Sequence, residues 1–289
     1  MAWTEWEKVE GFDLKEVIYE KKFRDTHGGV ARVTINRPER MNAFTQDTLE
    51  ELGLAIDDAD HDPLIGVILL TGAGDNFGTG GDVVWESSGS AFRKGFYYGV
   101  DPDHYVKLAR KPVIAVVRGF CIAGSHHLAY FCDLTLAADN AIFGQNGPRV
   151  GSPADAYCVA YASRVMGEKK AREMWMLCRR YSAQQAYEMG LVNKLVPEDK
   201  LDEEVDQWCD EILSLSPDCI EVVKASFDAE IETLPAGRLG LQSRLMLPDW
   251  FDGEEIQEGQ QAFLEKRQPN FWKVREAKAE ARKNKKNNS

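Results

Sequence analysis

At 289 residues, with 44% hydrophobic and 28% charged side chains, the chain has the make-up of a globular protein able to bury a substantial core, as one large domain or one domain with an appendage. A formal net charge of -12 argues against a nucleic-acid-binding body, because phosphate backbones attract basic surfaces. No apolar run approaches the roughly 20 residues of a transmembrane helix, and the first residues lack a basic-then-apolar leader pattern, so a cytoplasmic protein without a membrane partner is expected. Cys121, Cys132, Cys158, Cys178, Cys209 and Cys219 show no paired short spacing and read as free thiols rather than disulfides or zinc ligands.

Residues 1–15 carry Trp3 and Trp6 among acidic neighbours and read as an N-terminal extension that packs on the body or on a neighbour. Residues 17–23 and 30–35 alternate apolar and polar side chains around His27-Gly28-Gly29, which predicts a β-hairpin. Asn36-Arg37-Pro38-Glu39-Arg40 then leaves the second strand as a loop. Thr45-Gln46-Asp47-Thr48 supplies N-cap chemistry for a helix to about residue 59, ended by Asp60-His61-Asp62-Pro63. A strand around Val67-Ile68-Leu69-Leu70 leads to the small-residue turn Phe77-Gly78-Thr79-Gly80-Gly81-Asp82. The following Gly/Ser-rich, aromatic segment, 85–103 with Phe96, Tyr97 and Tyr98, reads as a substrate-side lid.

Residues 111–151 are the stretch around which the rest is organised. An apolar run, Pro112-Val113-Ile114-Ala115-Val116-Val117, ends in Arg118-Gly119-Phe120-Cys121-Ile122-Ala123-Gly124-Ser125-His126-His127, and a second run, Leu134 to Ala138, leads to Phe143-Gly144-Gln145-Asn146-Gly147. The pattern is strand, small-residue turn, short helix, strand. Small residues at a strand-to-helix turn let backbone N–H groups face a ligand, and the helix start adds partial positive charge. With the upstream Gly80-Gly81 turn, two such donors can converge on one oxygen. Helices are predicted over 156–166, 169–179, 183–189, 201–215 and 219–230, with a strand at 191–196. This alternation implies an α/β core over 16–200, a helical region over 201–272, and a basic, solvated tail over 273–289.

Several of these motifs, Asn36-Arg37-Pro38 with Asn42-Ala43, Gly80-Gly81-Asp82, Gly119 to Gly124, Phe143-Gly144-Gln145 and the stretch 186–193, resemble the enoyl-CoA hydratase/isomerase (crotonase) superfamily in order and spacing, over roughly residues 17–271. Within it, Asp133-Leu134-Thr135, 137–145, 167–172 and 189–193 are most similar to dihydroxynaphthoyl-CoA synthases and ring-opening oxocyclohexanecarboxyl-CoA hydrolases. The resemblance implies a ββα-spiral core, C-terminal helices that pack across subunits, and a homo-oligomer, either a trimer or a dimer of trimers. It implies Gly81 and Gly124 as oxyanion donors, and coenzyme A as part of the substrate with no tightly bound cofactor. Arg37, Arg40, Lys266 and Arg267 are implied as its phosphate contacts, although each also reads as a solvated surface charge.

The chain departs from the superfamily at the residues that decide the reaction. Where hydratases carry two glutamates it has His127 and Gly147. Gly147, within Gln145-Asn146-Gly147, resembles the synthase subtype that uses bicarbonate as an external base, with Trp175 helping to hold the anion; Trp175 among Met174, Met176 and Leu177 equally reads as core. The synthase aspartate aligns with Ala154 in Gly151-Ser152-Pro153-Ala154-Asp155-Ala156-Tyr157, leaving Asp155 one residue away, and its C-terminal tyrosine is missing near residues 247–252. His127 fits a general acid or base. The expected reaction is hydrolytic ring opening of an alicyclic β-oxoacyl-CoA, with water activated by His127 or Asp155. Ring-closing naphthoyl-CoA synthesis, cyclic dienoyl-CoA hydration, and a non-catalytic CoA- or RNA-binding homologue remain as alternatives, nucleic acid being the least expected partner.

Overall fold

The computed structural model describes residues 3–24, 28–87, 102–152, 156–232 and 253–271. Most of the expected lid, Asp155, the stretch before residue 253 and the basic tail lie outside the described residues. The expected hairpin forms as β2 (Val17–Phe23) and β3 (Gly29–Ile35), in register from Val17 opposite Ile35 to Phe23 opposite Gly29. Thr45 and Thr48 form a reciprocal capping box that starts α1 (Gln46–His61), and both hydroxyls donate to Glu16. Glu51 on α1 accepts the backbone N–H groups of Lys15, Glu16 and Val17, fastening the start of β2.

The sheet continues from β3 in parallel through β4 (Ile65–Gly72) and β5 (Val113–Val117). Within these strands successive residues face opposite sides. Ile68, Leu70, Ala115 and Val117 join one core, and Val67, Leu69, Ile114 and Val116 join the other. Both faces are therefore covered, which is why these strands read as unbroken apolar runs.

A unit repeats along the chain: a strand in the large sheet, a short strand or bridge beside it, then a helix. β4 is followed by a bridge from Gly78 to Cys121 and by α2 (Val83–Ser87). Next come α3 (Pro102–Leu108), β5, β6 (Phe120–Ile122) and α4 (Gly124–Phe131). The third copy is β7 (Leu134–Ala138), β8 (Ile142–Gly144) and α5 (Ala156–Met166). After α6 (Glu168–Leu177), β9 (Arg180–Ser182) joins β6 and β8 in a three-stranded sheet. Then α7 (Ala183–Glu188) leads to β10 (Lys194–Val196), which completes the large sheet. The α/β class with ββα repeats is thus the fold the chain adopts.

Contacts cross both expected boundaries. The N-terminal extension adds β1 (Glu7–Lys8) to the sheet edge, where Glu7 faces Lys21 and Lys8 faces Glu20, opposite charges on paired positions. Lys22 lies 4.5 Å from the Trp3 ring and 4.6 Å from the Trp6 ring, and Arg32 lies 4.1 Å from Trp6. Trp6→Ala is expected to cost about 1–2 kcal/mol for two such contacts plus lost packing, read as a lower urea midpoint. At the other boundary, α8 (Leu201–Leu213) buries Leu201, Val205 and Cys209 on the second face of the sheet of its own chain. Beyond it lie α9 (Pro217–Glu232) and α10 (Glu254–Leu264). Among the described residues, no helix is long and apolar enough to cross a membrane.

Candidate active site

The two small-residue turns meet. The first runs along β6, with the N–H of Gly78 donating to Phe120 and that of Ile122 donating back to Gly78. On its other side Phe44 donates to Gly80, and Asp82 donates to Phe44. These bonds leave out the N–H of Gly81 among the described residues. Gly124 occupies the first position of α4, where an N–H has no intrahelical acceptor. Both glycines are partly exposed. Gly80 has φ +89, and a Cβ there would lie 2.8 Å from Ala123 Cβ and 3.0 Å from the nitrogen of Gly124. The turns are therefore packed backbone to backbone, an arrangement that can aim two N–H groups at one anionic oxygen.

Arg37 fixes the first turn from below. Its Nε lies 3.1 Å from Glu16, and its Nη2 donates to Asp82 at 3.0 Å, while Nη1 donates to the carbonyl of Ala43. Asp82 in turn accepts the N–H groups of Val84 at 3.0 Å and Trp85 at 3.2 Å, capping α2. The Arg37 guanidinium is thus committed to the turn that carries Gly81, whereas Arg40 is exposed.

His127 lies one turn along α4 from Gly124 and is half-buried. Its Nε2 lies 3.3 Å from Gln145 Oε1, and Gln145 Nε2 donates to His126 Nδ1 at 3.1 Å. Burial first, then His127 and Arg180, push His126 down to about 3, so it is neutral at physiological pH. Arg180 donates to the Gln145 carbonyl at 2.7 Å and to Asn146 Oδ1 at 3.0 Å, fixing the loop that contains Gly147. The His127 ring packs 5.3 Å from Trp175. Trp175 is buried, and its indole N–H has no partner among the described residues; the same holds for His126 Nε2.

Ser152 donates its N–H to Gly147 at 3.0 Å, closing the loop below this cluster. At Gly151, φ +71, a Cβ would lie 2.5 Å from the carbonyl of Glu255, so α10 seats directly on that loop within the same chain. Just after α10, Arg267 is paired with Glu258 and Glu265, while Lys266 stays exposed. Asp155 and the side chain of Tyr157 lie outside the described residues. The structure therefore gathers Gly81 and Gly124 at one junction, and His127, Gln145 and Trp175 beside the second of these.

Sequence reasoning missed Glu86. It follows Asp82 by four residues, a spacing that returns its side chain over the turn where α2 begins. A Cβ on Gly81 would run into Glu86 Oε1, with Cδ at 3.1 Å. Burial pushes this carboxyl up to about 7, and Asp82 adds to the shift. The Asp82 to Glu86 spacing was the available signal, but no motif marks it.

The enoyl-CoA hydratase/isomerase family model matches residues 25–274. An enoyl-CoA hydratase/isomerase from Xanthobacter autotrophicus Py2 is 30% identical, with 85% of this chain and 88% of that chain covered and a TM-score of 0.67. A monofunctional enoyl CoA isomerase from M. smegmatis is also 30% identical, over 75% of this chain and 94% of that one, at a TM-score of 0.62. An enoyl-CoA hydratase from Mycobacterium avium subsp. paratuberculosis K-10 is 25% identical over 87% and 97%, at 0.71. With the paired glycine turns and the ββα repeats, these likenesses identify the chain as a member of the enoyl-CoA hydratase/isomerase family, the crotonase superfamily, whose members act on acyl-CoA thioesters.

Proposed function

We propose that this enzyme opens the ring of an alicyclic β-oxoacyl-CoA by adding water across a carbon–carbon bond. Gly81 and Gly124 hold the thioester oxygen, each donor contributing about 3 kcal/mol as charge develops. His127 takes a proton from water as its oxygen attacks the ring ketone. The bond to the α-carbon then breaks, and its electron pair becomes a thioester enolate. The observation that carries this reading is the place of His127: half-buried one turn from Gly124, with Nε2 held by Gln145. An imidazole oriented by a neighbour can act at neutral pH where a hydratase would present a carboxylate. The exposed Arg40 and Lys266 remain available for the coenzyme A phosphates, and the exposed Val222, Val223 and Phe227 on α9 support assembly of several chains.

Incubation with 2-oxocyclohexanecarboxyl-CoA in oxygen-18 water tests it. A ring-opened dicarboxylic acyl-CoA carrying the heavy oxygen is expected. Its formation should fall by about 100-fold or more in His127→Ala, the usual loss for a general base. Unchanged substrate would sink the reading.

A second reading, ring closure to a naphthoyl-CoA with bicarbonate as base, is supported by the buried indole N–H of Trp175 beside His127, which has no partner among the described residues. Trp175→Phe keeps the ring and removes the donor. Under this reading turnover of succinylbenzoyl-CoA depends on added bicarbonate and falls about 10-fold or more in the variant, the scale of a lost hydrogen bond to a charged group. Hydrolytic ring opening should respond to neither change.

A further inference from the structure

We propose that Glu86 is the catalytic residue that moves the proton at the α-carbon of the bound thioester, a role that rests on the acyl-CoA reading and on Gly81 as an oxygen-holding donor. Any reaction through a thioester enolate needs a group to take or return that proton. His127 is assigned to the attacking water and Gly147 has no side chain, so a second group is needed for the α-carbon proton. Glu86 comes from the other turn.

Three observations place it there. The carboxyl approaches Gly81 end-on: a Cβ on Gly81 would meet Oε1 first, then Cδ at 3.1 Å and Cγ at 3.9 Å. The α-carbon is bonded to the carbonyl carbon whose oxygen Gly81 would hold, so a carboxyl leaning on Gly81 is within reach of it. Second, α2 is held in place by its Asp82 cap and the Asp82 pair with Arg37, so the side chain projects from a braced turn. Third, other inward carboxylates have partners, and Glu86 has none among the described residues. Glu51 accepts three backbone N–H groups, Asp60 accepts two and faces Arg110, and Asp133 accepts Lys224. A desolvated carboxyl beside the negative Asp82, with no donor among the described residues, is raised to about 7 and suits reversible proton transfer.

Glu86 carboxylate takes the α-proton, the C–H pair becomes the C=C bond of the enolate, and the thioester oxygen carries the charge against Gly81 and Gly124. The reverse step returns the proton to the α-carbon. In ring opening only the return is used: the protonated carboxyl delivers its proton after the carbon–carbon bond has broken.

The test uses a substrate that has no ketone to hydrolyse. Cyclohexanecarboxyl-CoA in deuterium oxide should gain one mass unit, with the whole protein as catalyst. Glu86→Gln should slow this exchange by about 100-fold or more, and Glu86→Asp should recover part of it. Binding of cyclohexanecarboxyl-CoA, measured by calorimetry, should stay within about threefold. Binding without exchange in the wild-type chain, or exchange in Glu86→Gln within tenfold of wild type, overturns the role of Glu86 and leaves the acyl-CoA reading standing. Absence of binding overturns both, whereas exchange without ring opening of the oxo substrate rejects hydrolysis alone.

Discussion

Gly80→Ala is expected to lower acyl-CoA turnover by about 100- to 1000-fold, the loss seen when one oxyanion donor is removed. Two costs combine at this residue. Its φ of +89 is unfavourable for any side chain, by about 1 kcal/mol. The larger effect is a wedge: the new Cβ would sit 2.8 Å from Ala123 Cβ and 3.0 Å from the nitrogen of Gly124, and neither neighbour is the tip of a flexible chain. The turns must part, which moves the N–H of Gly81 away from that of Gly124. A misplacement of about 1 Å is enough to cost roughly 100-fold. Gly74→Ala is the matched control. It carries φ +69 but has only Pro38 Cβ nearby, at 3.5 Å, so it incurs backbone strain without a wedge. Deuterium exchange and urea unfolding, measured on both variants, separate the effects. Wild-type turnover in Gly80→Ala would mean that the two turns do not act together.

The features legible in the sequence are those with local causes. The hairpin follows from period-two alternation, α1 from its threonine cap, and the two turns from glycines placed after apolar runs. The strand expected over 191–196 is shorter, Lys194–Val196, because Asn193 turns its side chain back to accept the N–H of Thr135. What escapes the sequence is pairing across distance. Arg37 stands in the sequence as one more loop cation, and its pairing with Glu16, just before β2, and with Asp82, in the glycine turn, is not visible along the chain. Trp3 and Trp6 read as an appendage because their cationic partners, Lys22, Arg24 and Arg32, lie on the hairpin. Glu86 carries no motif; its role depends on α2 folding back over Gly81.

Asp133→Ala is expected to destabilise the protein by about 3 kcal/mol, towards the lower end of the cost of stripping one partner from a buried ion pair. Asp133 Oδ2 accepts the N–H of Val113 at 2.8 Å and the ammonium of Lys224 at 2.7 Å. The Lys224 side chain is 7% exposed, and its ammonium also donates to the carbonyl of Lys111 at 3.0 Å. Removing the carboxylate leaves that charge in the interior with carbonyl partners only. The Asp133 side chain is itself 22% exposed, so water reaches part of the vacated space and limits the loss. Lys224→Met in the Asp133→Ala background removes the stranded charge and keeps the stem, so it should restore about half of the stability. The urea midpoints of the two single variants and the double variant form a cycle whose coupling reports the pair. Equal destabilisation in Asp133→Ala with and without Lys224→Met would show that the ammonium is solvated. The consequence reaches the site as well, because the pair ties α9 to the start of β5, the strand that leads to Gly124. Loosening that end should lower exchange activity as well as stability, but by less than Gly80→Ala, which acts on the donors themselves.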